Sequence, residues 1–308
     1  MTEFSPHCSM TLIINTLPYE FLPHPLLADE VYKVVREQAV TYQLRRQVDN
    51  TLWALKVSNP GYRSPQIERK TEQLRRYVHL SGLQVARRIC LTRSRFPELI
   101  SLHPGLEYAL LMPWIEGKTW AGYMDDAAAS ANYTQQDAQE LALTTAHVLW
   151  SLETNHLVHA DIAGDNVIII NFRHIELIDL ENLCEQGSTL PGQPSRGWQG
   201  YQHPNLDERG NCRPEGDRYA GAMLLTEMLT WWKPLVRALT DGDALFQFRD
   251  REPPEVLTRR LKVVRSALRE ISPGLQYLFD QAWNSSDLEI CPDFATWVMY
   301  LLNARIAA

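Results

Sequence analysis

Apolar and polar positions change period along this chain. Residues 31–35, 39–44 and 51–57 read as three short strands, with Asp49-Asn50 making the last turn. Residues 65–79 are charged and helical in pattern, with Ile67, Leu74, Tyr77 and Val78 near one face. Two more apolar runs, 83–91 and 106–115, predict further strands. Helical spacing then takes over. Residues 135–154 place Leu141, Thr145, Val148, Leu149 and Leu152 on one stripe. Val167-Ile168-Ile169-Ile170 and Ile175-Glu176-Leu177-Ile178 flank a polar turn and predict a β-hairpin. Helical segments at 215–229, 254–271, 274–283 and 294–305 complete the chain. The fold class expected is α+β, with strands early and helices late. Pro18, Pro23 and Pro25 interrupt the first apolar segment, so residues 1–27 read as an extended arm. Residues 28–112 read as a β-rich part and 113–308 as a helical part.

The hairpin brings chemistry into view. Closing it sets Asn166 and Asp179 side by side, with Asp161 on the loop just before. Two carboxylates and a carboxamide are oxygen ligands of the kind that hold Mg²⁺ together with substrate phosphates. In the strand Leu52-Trp53-Ala54-Leu55-Lys56-Val57, a lysine in so apolar a run needs a partner.

These stretches, in this order, resemble the protein kinases. His159-Ala160-Asp161…Asn166 resembles the catalytic loop H-R-D-x-x-x-x-N, and Asp179-Leu180-Glu181 the metal-binding D-F-G. The Lys56 strand resembles V-A-I-K. Leu111-Met112-Pro113-Trp114-Ile115-Glu116-Gly117 resembles the hinge that binds adenine. Gly200-Tyr201-Gln202-His203-Pro204 resembles the close of the activation segment, and Asp217 stands at the start of the helix after it. The resemblance implies a bilobal protein kinase-like fold, with a small β-rich N-lobe and a larger α-helical C-lobe. It implies ATP and Mg²⁺ as cofactors and a protein serine or threonine as acceptor. Asp161, Lys56 and His159 take the catalytic positions. Lys56, Glu72, Met112, Trp114, Asn166 and Asp179 take the nucleotide-binding positions, Asn166 and Asp179 as metal ligands. Glu72 is preferred over Glu68 as the partner of Lys56, because Glu68 lies near the Ser64-Pro65 start. Pro113 has no N–H, which leaves Met112, Trp114 or Ile115 as the adenine donor. Asp217 fits either a cap on the catalytic loop's amides or an ordinary helix N-cap.

The departures open two alternatives. No glycine lies between Glu30 and Trp53, so the lid over the phosphates is expected to be short and stiff. Ala160 replaces the arginine of the triplet, which makes Ser188, Thr189 and Ser195 plain loop residues rather than switches. Ala163 replaces the lysine of Ser/Thr kinases, and Glu181 could join the metal ligands. Asn205 and Ile290 stand where the family pairs a glutamate with an arginine, so that link is expected to be lost from both sides at once. A pseudokinase, holding nucleotide as a scaffold or allosteric partner, is one alternative. A small-molecule, aminoglycoside-kinase-like phosphotransferase is the other.

Composition narrows the partners. The 308 residues are 45% hydrophobic and 22% charged, with a net charge of −7. That charge argues against nucleic acid or an anionic membrane as the main partner. No apolar run approaches the roughly 20 residues that span a bilayer. The five cysteines, Cys8, Cys90, Cys184, Cys212 and Cys291, are scattered and odd in number, which suggests neither a zinc ribbon nor a disulfide framework. A reducing, cytoplasmic setting is expected. His7, His24, His103 and His174 have no metal-ligand spacing.

Overall fold

The computed structural model describes residues 4–186, 197–206, 210–240, 245–246 and 254–307. The chain divides into two compact units, Met1–Glu116 and Gly117–Ala308.

The first unit is built on an antiparallel sheet. Its strands are β1 (Thr11–Ile14), β2 (Leu17–Phe21), β3 (Lys33–Val35), β4 (Ala39–Arg46), β5 (Leu52–Ser58), β6 (Ile89–Leu91) and β7 (Ala109–Pro113). They run in the order β1-β2-β4-β5-β7-β6, with β3 also paired to β4. Helices α1 (Gln66–Leu74) and α2 (Pro97–Leu102) belong to this unit.

The expected arm is instead a hairpin of this sheet. Leu12, Ile14, Tyr19 and Phe21 are buried in its core. The Asn15-Thr16 turn has φ of 50° and 65°, the sign of a two-residue turn that matches strand twist. Pro18 does not break β2. It sits near the strand's start, where its carbonyl still accepts from the Gln47 N–H at 3.0 Å, and the one bond its ring removes lies past the end of β4 at Arg46. Between β3 and β4 only Arg36-Glu37-Gln38 intervene, closed by Arg36 N–H to the Ala39 carbonyl at 2.9 Å.

The second unit is mainly helical. After β8 (Lys118–Thr119) come α3 (Trp120–Asp125), α4 (Ala127–Asn132) and α5 (Gln135–Thr154). Thr134 and Asp137 form a reciprocal capping box at the start of α5, which satisfies amides the first turn leaves open. Then follow β9 (Leu157–Val158), β10 (Val167–Asn171), β11 (His174–Leu177) and β12 (Cys184–Glu185). Helices α6 (Arg218–Thr230), α7 (Pro234–Arg237), α8 (Pro254–Ile271), α9 (Pro273–Trp283) and α10 (Phe294–Ala307) follow. Helix α6 is buried on nearly every side, as its all-round apolar sequence requires. The expected hairpin is present, with Val167 opposite Leu177 and Ile169 opposite Ile175.

Cys184 and Cys212 are joined in a disulfide, their Cα atoms 6.1 Å apart. This corrects the expectation of unpaired thiols. A separation of 28 residues carries no local spacing signal from which to read the pair. Among the described residues no helix is long and apolar enough to cross a membrane.

Candidate functional site

In the second unit the candidate residues gather on the loop between β9 and β10. The loop leaves β9 through two buried residues, His159 and Ala160. Both backbone N–H groups donate to the buried Asp217 carboxylate, His159 at 2.6 Å and Ala160 at 2.9 Å. Asp217 makes no side-chain cap on its own helix, so of its two expected roles it holds the loop. Burial raises its pKa, and His159 with the two amides opposes that rise. The imidazole donates from Nε2 to the Ile178 carbonyl at 2.9 Å, which fixes the tautomer because a carbonyl can only accept.

Two backbone positions are strained. Ala160 has φ of 64° and Asp179 of 58°, left-handed values that cost a residue with a Cβ about 1–2 kcal/mol. They bracket Asp161 on either side of the hairpin.

Asn166 and Asp179 meet at the hairpin's open end. Ile178 N–H donates to the Asn166 carbonyl at 2.9 Å, carrying the ladder one step past Val167. The Asn166 carboxamide donates through Nδ2 to the Asp161 carbonyl at 2.8 Å, leaving its oxygen for another ligand. Asp161 is half-buried. Burial raises its pKa first, and the neighbouring Asp179 charge adds to the rise. His159 and hydrogen bonds from Asn182 and Asn166 oppose it. Asp179 and Asn166 supply oxygen donors of the kind that suits Mg²⁺ completed by water and phosphate. Among the described residues no group of three or more His, Cys, Asp or Glu is placed to hold a metal alone.

Asn182 is the residue that sequence reading missed. It lies in a turn closed by Leu183 N–H to the Leu180 carbonyl at 3.2 Å. Leu180 and Leu183 are both buried, so the turn is pinned on either side of Asn182. The one sequence signal is two leucines bracketing two polar residues directly after Asp179.

A second buried carboxylate braces the loop. Glu227 on α6 accepts from the Tyr201 hydroxyl, from Trp120 Nε1 at 3.3 Å and from the Leu245 N–H at 2.7 Å. Burial pushes its pKa up to about 7, against those three donors. The Tyr201 hydroxyl also takes a hydrogen bond from the Gly164 amide. A Cβ on Gly164 would meet Trp120 and Tyr201 at 3.1 and 3.2 Å, so the small residue is needed at that contact.

A different ion-pair group joins the segments around Asn205 and Ile290. Arg213, in the segment before α6, pairs with Asp287, with Glu289 at 3.4 Å and with Glu215 at 3.5 Å. Beside it the His203 ring meets Ser285 Oγ at 3.0 Å. Neither Asn205 nor Ile290 carries the pairing. Ser188, Thr189 and Ser195 lie outside the described residues.

In the first unit strand register places Lys56. It stands opposite Leu110, which stands opposite Cys90. Directly paired residues share a face, so Lys56 and Cys90 lie on one side of the sheet, two strand spacings or about 10 Å apart. Helix α1 covers β6 with Thr71 and Leu74 inward. Glu68 is half-buried on that side and accepts from Thr92 Oγ1 at 3.3 Å. Burial pushes the Cys90 thiol up to about 12, and the Glu68 charge adds to the effect. Glu72 is exposed and binds Arg75 at 3.0 Å and Arg95 at 3.1 Å. The Trp114 N–H donates to the Leu52 carbonyl at 3.1 Å. The antiparallel alternation then directs the Met112 N–H to Ala54, its partner in register. Of the three candidate donors, Ile115 is the one this ladder leaves over. A cavity of about 220 Å³, with Arg46, Trp53, Gln84, Arg87 and Pro113 in its lining, contains none of the candidate residues.

No family model and no curated protein matches the chain.

Proposed function

We propose that the chain is an ATP- and Mg²⁺-dependent phosphotransferase of protein-kinase type, acting on a serine or threonine of a protein. The observation that carries this reading is the Asp161 loop. A half-buried carboxylate is oriented by Asn182 beside Asp179 and Asn166, and two left-handed residues and a remote buried aspartate keep it there. Strain and buried charge of this kind gather at functional sites.

Bound ATP would supply the phosphoryl group, and Mg²⁺ would neutralise it. Asp161 accepts the proton of the incoming hydroxyl. Asn166 and Asp179 would hold the metal through oxygen. Lys56 places its cation on the phosphates, and Glu68, on the same sheet face, is better placed than Glu72 to steady that lysine. Ile115 offers the hinge N–H to adenine. His159 holds the loop to Ile178 and takes a positioning role.

One observation favours the pseudokinase reading, nucleotide held as a scaffold or allosteric partner. The turn Arg36-Glu37-Gln38 has no glycine, so it offers fewer backbone amides for close approach to a phosphate. Ala163, without the lysine that Ser/Thr kinases carry, leaves a small hydroxylated metabolite as the other acceptor to test. The experiment is transfer of labelled γ-phosphate to the chain itself, to a mixed protein acceptor and to an aminoglycoside. Asp161→Asn is expected to lower protein labelling by about 10²–10⁴-fold. Labelling unchanged in that variant overturns the reading. Binding without transfer selects the scaffold, and transfer to the aminoglycoside alone selects the metabolite kinase.

A further inference from the structure

We propose that the Cys184–Cys212 disulfide is a reversible thiol–disulfide site that sets the rigidity of the Asp161 loop. The two half-cystines end segments that each touch this loop. Cys184 lies opposite Val158 in the two-residue β9–β12 ladder, one residue before His159. It packs with Val158 and Ala160 in a small buried cluster, against which Cys212 also packs. Asn211, beside Cys212, donates through Nδ2 to the Ala160 carbonyl at 3.3 Å.

From Cys212 the chain turns tightly to Asp217. Arg213 N–H donates to the Asn211 carbonyl, and Gly216 N–H to the Arg213 carbonyl, both at 2.8 Å. Any Cβ on Gly216 would overlap the Asn211 carbonyl, so this turn leaves no slack. The disulfide therefore joins the strand beside His159 to the segment that delivers the Asp217 clamp. Without it, the two-residue ladder and the Gln186 N–H bond to the His156 carbonyl at 2.9 Å hold the Cys184 side.

The two sulfurs differ in access. Cys184 is 2% exposed, whereas Cys212 is half-buried. A thiolate of a dithiol reductant attacks Sγ of Cys212, forming a mixed disulfide and releasing the Cys184 thiolate, which takes a proton. The reductant's second thiolate then attacks its own sulfur in the mixed disulfide and releases Cys212, which is protonated in turn. The protein gains two electrons and two protons, and the dithiol leaves as its disulfide. A small-molecule disulfide such as oxidised glutathione reverses the exchange. Cys90 and Cys291 do not compete, because burial pushes their thiols up to about 12 and about 11.

The effect on turnover rests on the function proposed above, whereas the effect on the loop does not. The test equilibrates the full chain with reduced or oxidised dithiothreitol. It maps the disulfide by mass spectrometry and follows hydrogen exchange at the His159 and Ala160 amides. The two peptides are expected to be linked when oxidised, and those amides to exchange about tenfold faster after reduction. The double variant Cys184→Ala, Cys212→Ala is expected to exchange at the fast rate in both buffers. Unlinked cysteines in the oxidised chain, or equal exchange in both buffers for the unaltered protein, overturn the proposal. Phosphate transfer run alongside is expected to fall on reduction. Its absence in both states overturns the enzymatic reading, and exchange alone then decides the role of the disulfide.

Discussion

The two units hold their candidate residues by different physical means. Lys56 is placed by ladder register, with Thr41 on one side and Leu110 on the other, so its position follows from regular backbone pairing. Asp161 has no such ladder. Asp217, Asn166, Asn211 and Asn182 hold its loop from outside, and Ala160 and Asp179 take conformations that regular structure avoids. A strand position survives loss of its side chain, because the backbone bonds remain. A loop position held by remote carboxylates and amides depends on each of them.

The sharpest way to break this contrast is Asp217→Ala. It strands two buried N–H groups, each of which loses a charge-assisted bond worth about 1.5–3 kcal/mol. A loss of about 3–5 kcal/mol in denaturant unfolding is expected. A loss below about 1 kcal/mol would mean the loop is held by something else.

Glu227 comes next, through pH. Its folded pKa of about 7 lies above the ordinary 4.5. The folded state therefore binds the proton more tightly, and the stabilisation is complete below about 4.5 and gone above about 7. The stability of the wild type relative to Glu227→Gln should fall by about 3 kcal/mol across that interval. Unfolding curves at pH 4.5 and pH 7.5 measure the difference, and a constant gap would place the Glu227 charge in water.

Asn182→Ala is smaller still. It removes a donor that favours the ionised Asp161, so the Asp161 pKa rises further. Turnover should drop about tenfold, the acid limb of its pH profile should move upward, and ATP affinity should hold. The smallest effect is expected in the first unit, where Lys56→Met should change unfolding by less than about 1 kcal/mol while weakening nucleotide binding.

What could be read from the residues follows the same divide. The hairpin was legible because two short apolar runs flank a tight polar turn, which pairs them in register. Asp217 was legible to within two roles, and only coordinates show that its oxygens take the loop amides rather than those of α6. The N-terminal hairpin was hidden because three prolines read as breakers, although Pro18 forfeits only one bond, beyond the end of β4. Arg213 was hidden because the resemblance points to Asn205 and Ile290, and no local spacing ties Arg213 to Asp287. The disulfide and Asn182 depend on contacts between separate segments, which no local spacing records. Glu72 looked better placed than Glu68 by distance from the helix start, but the buried Thr71 and Leu74 set the inward face, and Glu68 lies on it.

Asn166 and Asp179, which share the open end of one hairpin, are proposed to hold Mg²⁺ for a bound ATP. Calorimetric titration of ATP into the wild type, Lys56→Met and Asp179→Asn, with and without Mg²⁺, tests it most directly. Mg²⁺-dependent binding is expected in the wild type, with loss of that dependence in Asp179→Asn; about tenfold weaker binding in Lys56→Met is a separate expectation for the first unit. Absence of binding, or binding indifferent to Mg²⁺ and to both substitutions, would contradict it.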